Sequence, residues 1–337
     1  MSSIPSGTTI AEEFAKKIAD EQRRNRLVQM VPRLILLTFV ILASLFVGGF
    51  FSVTNLINLL NQATIPLVLA TGLTFIIILG GIDLSLEGVM GFSGSIVTLL
   101  ILNSKTSMDL GLLGIAITIA AGTAIGVVTG VLHVKMRIPS FMVSFGIGSV
   151  ITGFGIMSYG GKPATVMYEL FPRIGRGMFL GVPYLTYMGF GIFLVGLGIQ
   201  KYTAFARAVY ALGDNESVVR ATGINVDMVK IKAFAWCACC ASMAGVFGAI
   251  RLNRGEVVIG KGNLFTTITA LVVGGASLAG GKGGMWESLI GVCIVTVIQN
   301  CMILLGVNPY VQEAVKGIII IVAVSLAVTR GKKDFVK

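Results

Sequence analysis

Of 337 residues only 12% are charged and 55% are hydrophobic, against roughly a quarter charged in a soluble globular chain, which excludes a water-soluble domain as the body of the molecule. The formal charge of +11 does not describe a nucleic-acid surface, because the basic residues flank apolar runs instead of forming one stripe with interleaved aromatics. The 44 glycines suit close helix contacts in lipid, where small residues replace the hydrophobic force absent there.

Residues 1–33 read as a cytoplasmic amphipathic segment. From Thr9 to Arg26, Ile10, Phe14 and Ile18 recur every four residues, Glu12/Lys16 and Glu13/Lys17 form i,i+4 pairs, and Thr9 with Glu12 fits a capping box. This pattern suits both a solvated helix and one lying on a membrane or partner surface. No apolar signal region with a small-residue cleavage site is visible, so the first span is expected to stay attached.

Ten apolar runs follow, at about 34–51, 63–79, 86–102, 110–132, 139–158, 180–200, 233–250, 264–281, 285–305 and 311–329. A hydrocarbon core of about 30 Å needs roughly 20 apolar residues per helix. The expected fold is therefore all-α: a polytopic transmembrane helical bundle of about ten spans over 34–329, Gly-rich and with broken helices, followed by a cytoplasmic tail at 330–337. With both ends in the cytoplasm most of the 26 Lys and Arg fall inside, among them Arg23, Arg24, Arg26, Lys135, Arg137, Arg207, Lys230, Lys232 and Arg330, as the positive-inside rule requires.

Asn55, Asn58, Asn61 and Gln62 open the second run at helical spacing, either as an interfacial cap or as the lining of a polar path. Gly80-Gly81-Ile82-Asp83-Leu84-Ser85 interrupts the pattern after it, and Gly274-Gly275-Ala276-Ser277-Leu278-Ala279-Gly280-Gly281 does so after the eighth run, a hint of internal duplication. Paired glycines lower helix propensity by about 1 kcal/mol each, so both are expected breaks. Asp83 reads either as a cap for a helix starting near Ser85 or as a contact for solute. Gly122, Gly126 and Gly130 form a flat stripe for a close helix contact. The five cysteines, Cys237, Cys239, Cys240, Cys293 and Cys301, lie in apolar runs without CxxC spacing and read as packing residues rather than a metal site.

The segments Tyr159 to Phe179 and Arg251 to Asn263 are expected outside and carry Arg173, Arg176, Arg251, Arg254, Glu169 and Glu256, which read equally as rim charges able to steer a partner protein or as ordinary solvated loop charges. The cytoplasmic loop 201–232 is longer than two spans need and has a helix signal of its own: Asp214 or Asn215 as N-cap, then Glu216 to Thr222, ended by Gly223. An element that touches something cytoplasmic is expected there. No H-E-x-x-H, G-x-S-x-G or Cys/His constellation is present. The phosphate-loop imitation at Ala276 to Gly283 lacks its first glycine and its Ser or Thr, so no nucleotide is expected on it. Nor do the spans carry the regular acids and bases of a proton relay, which leaves the energy for uphill transport to enter from outside the chain.

Four motifs in register carry a resemblance: Gly80 to Ser85; Tyr210-Ala211-Leu212-Gly213-Asp214-Asn215-Glu216 running on to Gly223-Ile224-Asn225-Val226; Val272 to Gly283; and Leu304-Leu305-Gly306-Val307. From about Asn55 to Ala327 the chain resembles the ribose-type permeases of bacterial ABC importers, which serve ribose, xylose, arabinose, galactose and related sugars. The resemblance implies a permease that is not itself an enzyme and binds no cofactor. It further implies an inner-membrane location amid lipid, a second permease copy or related subunit, a periplasmic substrate-binding protein, and a cytoplasmic ATPase that holds ATP and Mg. It places a coupling helix at Asp214 to Val226, with Asp214, Asn215, Glu216, Arg220, Ala221 and Gly223 as the ATPase-facing residues. Asn58, Asn61, Gln62, Asp83 and Ser85 are then candidates for the path, and Arg173, Arg176, Arg251 and Arg254 for docking the binding protein. A nucleoside, a polyol or a sugar-derived signal is the alternative solute. A self-contained channel or carrier and a non-transporting scaffold are the competing readings, separated from the first by dependence on ATP and by solute movement.

Overall fold

A computed structural model describes residues 30–330, so the leader helix expected at Thr9 to Arg26 and the tail beyond Arg330 lie outside the described residues. Each of the ten apolar runs coincides with a helix: α1 (Met30–Phe46), α2 (Val53–Ile78), α3 (Leu86–Leu100), α4 (Gly111–Met136), α5 (Ser140–Tyr159), α7 (Tyr184–Tyr202), α10 (Val226–Leu252), α11 (Asn263–Gly274), α12 (Met285–Leu304) and α13 (Pro309–Arg330). Three short helices lie between them: α6 (Leu170–Arg176), α8 (Ala204–Asp214) and α9 (Glu216–Ala221). Among the described residues six stretches are long and apolar enough to cross a bilayer, five of them single helices and the sixth Val257–Gly274, in which a 3-10 turn runs into α11. The third and eighth runs become short helices of 15 and 12 residues, about 22 and 18 Å at 1.5 Å per residue, too short to cross singly.

The centre of the bundle is α10, packed along α4, α3 and α2. The expected glycine stripe makes the first of these contacts. A Cβ on Gly122 would come 2.5 Å from Ser242 Cβ, one on Gly126 would overlap Ala238 and come 2.5 Å from the Phe234 carbonyl, and one on Gly130 would lie 2.8 Å from Ile231 Cα. On its other side α10 sets the Cys237 backbone and Cys240 Cβ against Gly72 of α2, and both cysteines are buried. Asn55, expected at an interface or in a path, instead exchanges hydrogen bonds with Asn300 of α12 at 3.0 and 2.9 Å, and both are buried. Reciprocal amide pairing satisfies both side chains and ties two helices together where water is scarce.

Between the helices the chain adds what apolar periodicity does not announce. Strand β1 (Ala164–Thr165) pairs antiparallel with β4 (Arg254–Gly255), and β2 (Met178–Phe179) pairs with β3 (Val182–Pro183). The β1–β4 pair joins the charged segments 159–179 and 251–263 through backbone.

Candidate functional site

The loop 201–232 holds two helices, not one. Thr203 caps α8 by accepting from Ala206 N–H, and α8 leaves α7 at a bend of 73°. Asp214 is the last residue of α8, while Asn215 supplies the N-cap of α9, its Oδ1 accepting from the N–H groups of Ser217 and Val218 at 3.1 and 3.2 Å. Gly223 turns the chain with φ of +80°, a conformation that suits glycine, and Asn225 then caps α10. Glu216 is the hub: it accepts from Arg220 at 3.0 Å and from Lys230 of α10 at 2.8 Å, and Arg220 also reaches Asp227 at 3.8 Å. The Lys230 hydrogen bond, helped by that of Arg220 and opposed by partial burial, holds the Glu216 carboxyl below its ordinary pKa. Ala221 and Gly223 lie at the exposed tip, where Val218, Ile224 and Met228 also expose apolar surface.

Behind this tip, α8 meets the second glycine break and the end of α2 just before the first. The Gly281 N–H donates to the Ile78 carbonyl at 2.8 Å, joining the second break to the end of α2. A Cβ on Gly213 of α8 would overlap that same carbonyl and lie 2.6 Å from Gly281 N; one on Gly280 would lie 3.0 Å from both Gly213 O and Gly80 N. Three segments distant in sequence therefore touch backbone to backbone. Tyr210, one turn earlier on α8, donates to the Gly283 carbonyl at 2.7 Å and accepts from Gln200 Nε2 at 2.7 Å, and Gln200 Oε1 accepts from Met285 N–H at 2.8 Å. The first turn of α12 is thus held from α7 and α8 together. Sequence reasoning named Tyr210 and Gly213 only as motif letters and passed over Gln200; a tyrosine hydroxyl and an amide flanking an expected break were the available signal.

The first break satisfies its own backbone. Ile82 and Leu84 N–H groups donate to Ser140 and Ser144 of α5, and Ser85 N–H and hydroxyl donate to Asp83 Oδ1. Asp83 and Ser85 are buried, and this geometry is that of a structural turn at the start of α3. In the second break Ala276, Ser277, Gly280 and Gly281 donate their N–H groups to Leu271, Lys282, Ser277 and Ile78 carbonyls. The donors a phosphate would need are committed internally.

Of the path candidates, Gln62 lines a cavity of about 480 Å³ together with residues of α10, α11, α12 and α13. Asn58 is exposed and Asn61 half-buried, and neither belongs to that lining. Of the four arginines expected outside, Arg251 lines the cavity, Arg254 pairs with Glu256, Arg173 of α6 pairs at 2.9 Å with Glu169 just before that helix, and Arg176 is exposed at the end of α6. The structure brings Arg254 beside Thr165 through the β1–β4 pair and does not gather all four into one patch.

Residues 55–324 match the family described as branched-chain amino acid transport system / permease component. The chain is 33% identical over 303 residues to the ribose import permease protein RbsC of Escherichia coli (strain K12), covering 88% of this chain and 93% of that one. It is 32% identical to the L-arabinose ABC transporter permease protein AraH of Azospirillum brasilense, covering 91% of each, and 30% identical to the galactose/methyl galactoside import permease protein MglC of Haemophilus influenzae, covering 82% and 87%. No solved structure matches. These relatives are permease components, and the arrangement described above joins α8 to the second glycine break and to the end of α2 beside the first. The chain belongs to the ribose-type family of ABC importer permeases.

Proposed function

We propose that this chain is the membrane-spanning subunit of an ABC importer for a monosaccharide such as a ribose-like pentose or a hexose. The relatives named for ribose, arabinose and galactose support the solute class. The observation that carries the mechanism is the contact of α8 with the end of α2 and with the second glycine break, which in turn touches the first. In this reading the inner-membrane subunit dimerises with a copy or a related permease, keeps both termini in the cytoplasm, and receives solute from a periplasmic binding protein. ATP and Mg sit on a separate ATPase that grips α9 through Asp214, Asn215, Glu216, Arg220, Ala221 and Gly223. Closure of the ATPase pair moves α9 and α8, and the breaks pass that displacement to α3 and α12, turning the path from inward to outward. A ligand shifts such an equilibrium only by its differential affinity for the two states. Arg173, Arg176 and Arg254 then face the binding protein.

Reconstitution in liposomes tests this. Uptake of D-ribose, L-arabinose or D-galactose should require the ATPase, the binding protein and ATP together. Solute movement by the chain alone, without nucleotide, would overturn the reading.

A further inference from the structure

The cavity beside Gln62 has chemistry that the coupling machinery does not use. At about 480 Å³ it falls in the range of small-molecule sites. Gln62 Oε1 is buried with no hydrogen-bond partner. One turn further along α2, Pro66 also lines the cavity, and a proline has no N–H to offer the Gln62 backbone carbonyl four residues earlier. One residue thus brings two acceptor oxygens that its own helix does not satisfy.

The facing wall repeats that bias. Asn263 commits its side-chain N–H groups to the Ile259 and Gly260 carbonyls, and Thr266 commits its hydroxyl proton to the Gly262 carbonyl, at 2.8 to 3.1 Å. What remains of both side chains is acceptor oxygen. Gln299 of α12 adds a further amide, and Arg251 and Lys261 bring cationic donors to the lining. Lys316 is already paired with Glu313 at 2.7 Å. Acceptors of this kind beside two cationic donors suit a solute whose hydroxyl groups both donate and accept.

We propose that this cavity binds one neutral monosaccharide within each copy of the subunit, with sugar hydroxyls donating to Gln62. The site rests on the sugar-importer reading and adds to it a station inside the single chain, apart from any path framed between two subunits.

Saturation-transfer NMR on the permease–ATPase complex in nanodiscs, without binding protein, tests it with D-ribose, L-arabinose and D-galactose as probes. At least one sugar should give a transfer signal that falls fivefold or more in Gln62→Leu and less in Gln62→Asn, which keeps a shorter amide. Gln299→Leu should weaken the same signal, and serves where Gln62→Leu does not assemble. Uptake by the complete transporter should fall at least tenfold in Gln62→Leu. No signal from a wild-type complex that does take up sugar would overturn the site alone, as would equal signals in wild type and both leucine variants. Failure of the complete wild-type system to take up any of the three sugars would overturn the importer reading, and the site with it. A stronger signal from D-ribonate than from D-ribose would overturn the neutral-sugar assignment.

Discussion

Tyr210 places one oxygen between Gln200 and the Gly283 carbonyl, serving as acceptor to the first and donor to the second. Tyr210→Phe leaves both partners unmatched, at a cost of about 1–3 kcal/mol for a buried polar group left without its bond. The expected outcome is a lower melting temperature of the purified complex and a fall in sugar taken up per ATP hydrolysed. Glu216 makes a second, pH-dependent prediction. Its carboxyl is held below the ordinary value by Lys230 and Arg220, so its contribution is fully present above the unfolded-state pKa. That contribution is lost as pH falls through the lowered one. The difference in ATPase stimulation between wild type and Glu216→Gln should therefore be largest near neutrality and close as the medium is acidified below the usual glutamate range. A difference that widens in acid would sink the hub assignment. At this scale the sequence was partly legible. Asn215, Gly223 and Asn225 act through neighbours two or three residues away, so capping rules find them, whereas the partners of Glu216 include Lys230, fourteen positions on in another helix.

At the scale of elements, the α4–α10 contact depends on missing side chains. Gly126→Ala puts a methyl against Ala238 and the Phe234 carbonyl, an overpacking worth typically about 1–3 kcal/mol. Gly153 in α5 has nothing within 4 Å, and there alanine should be neutral or stabilise by up to about 1 kcal/mol through helix propensity. Melting temperatures of the two variants should move in opposite directions or differ clearly; equal shifts would mean that the stripe is not a contact. The tip formed by α9 makes a further prediction: Val218→Asp puts a charge on an exposed apolar residue and should abolish co-purification of the ATPase while leaving the permease folded. The ten apolar helices were legible because run length in lipid maps directly onto helix length. Helix α8 was not, because its bend from α7 absorbs it into a loop when read linearly. The paired strands were not either, since two residues carry no alternation to detect.

For the whole molecule, orientation is the property that charge bias addresses and that labelling can check. Leu180, at the tip between β2 and β3, is 84% exposed; Leu180→Cys should react with a membrane-impermeant thiol reagent in intact spheroplasts. Val218→Cys should react only after lysis. The reverse order would invert the topology. Long-range pairings such as Asn55 with Asn300, or Ile78 with Gly281, leave no local trace in sequence, which is why the glycine breaks were readable as interruptions but not as neighbours of one another.

The meeting of Gly80, Gly213, Gly280 and Gly281 has a mechanical meaning. Side chains at a joint act as cushions, since rotamers yield before helices do. Here main chain bears on main chain, with stiff peptide planes and no intervening rotamer. A joint without compliance has little slack, so even a sub-ångström displacement of α8 is expected at the far side of the junction nearly undiminished. Small residues, usually associated with looseness, here make a stiff link between the α9 tip and the two broken spans.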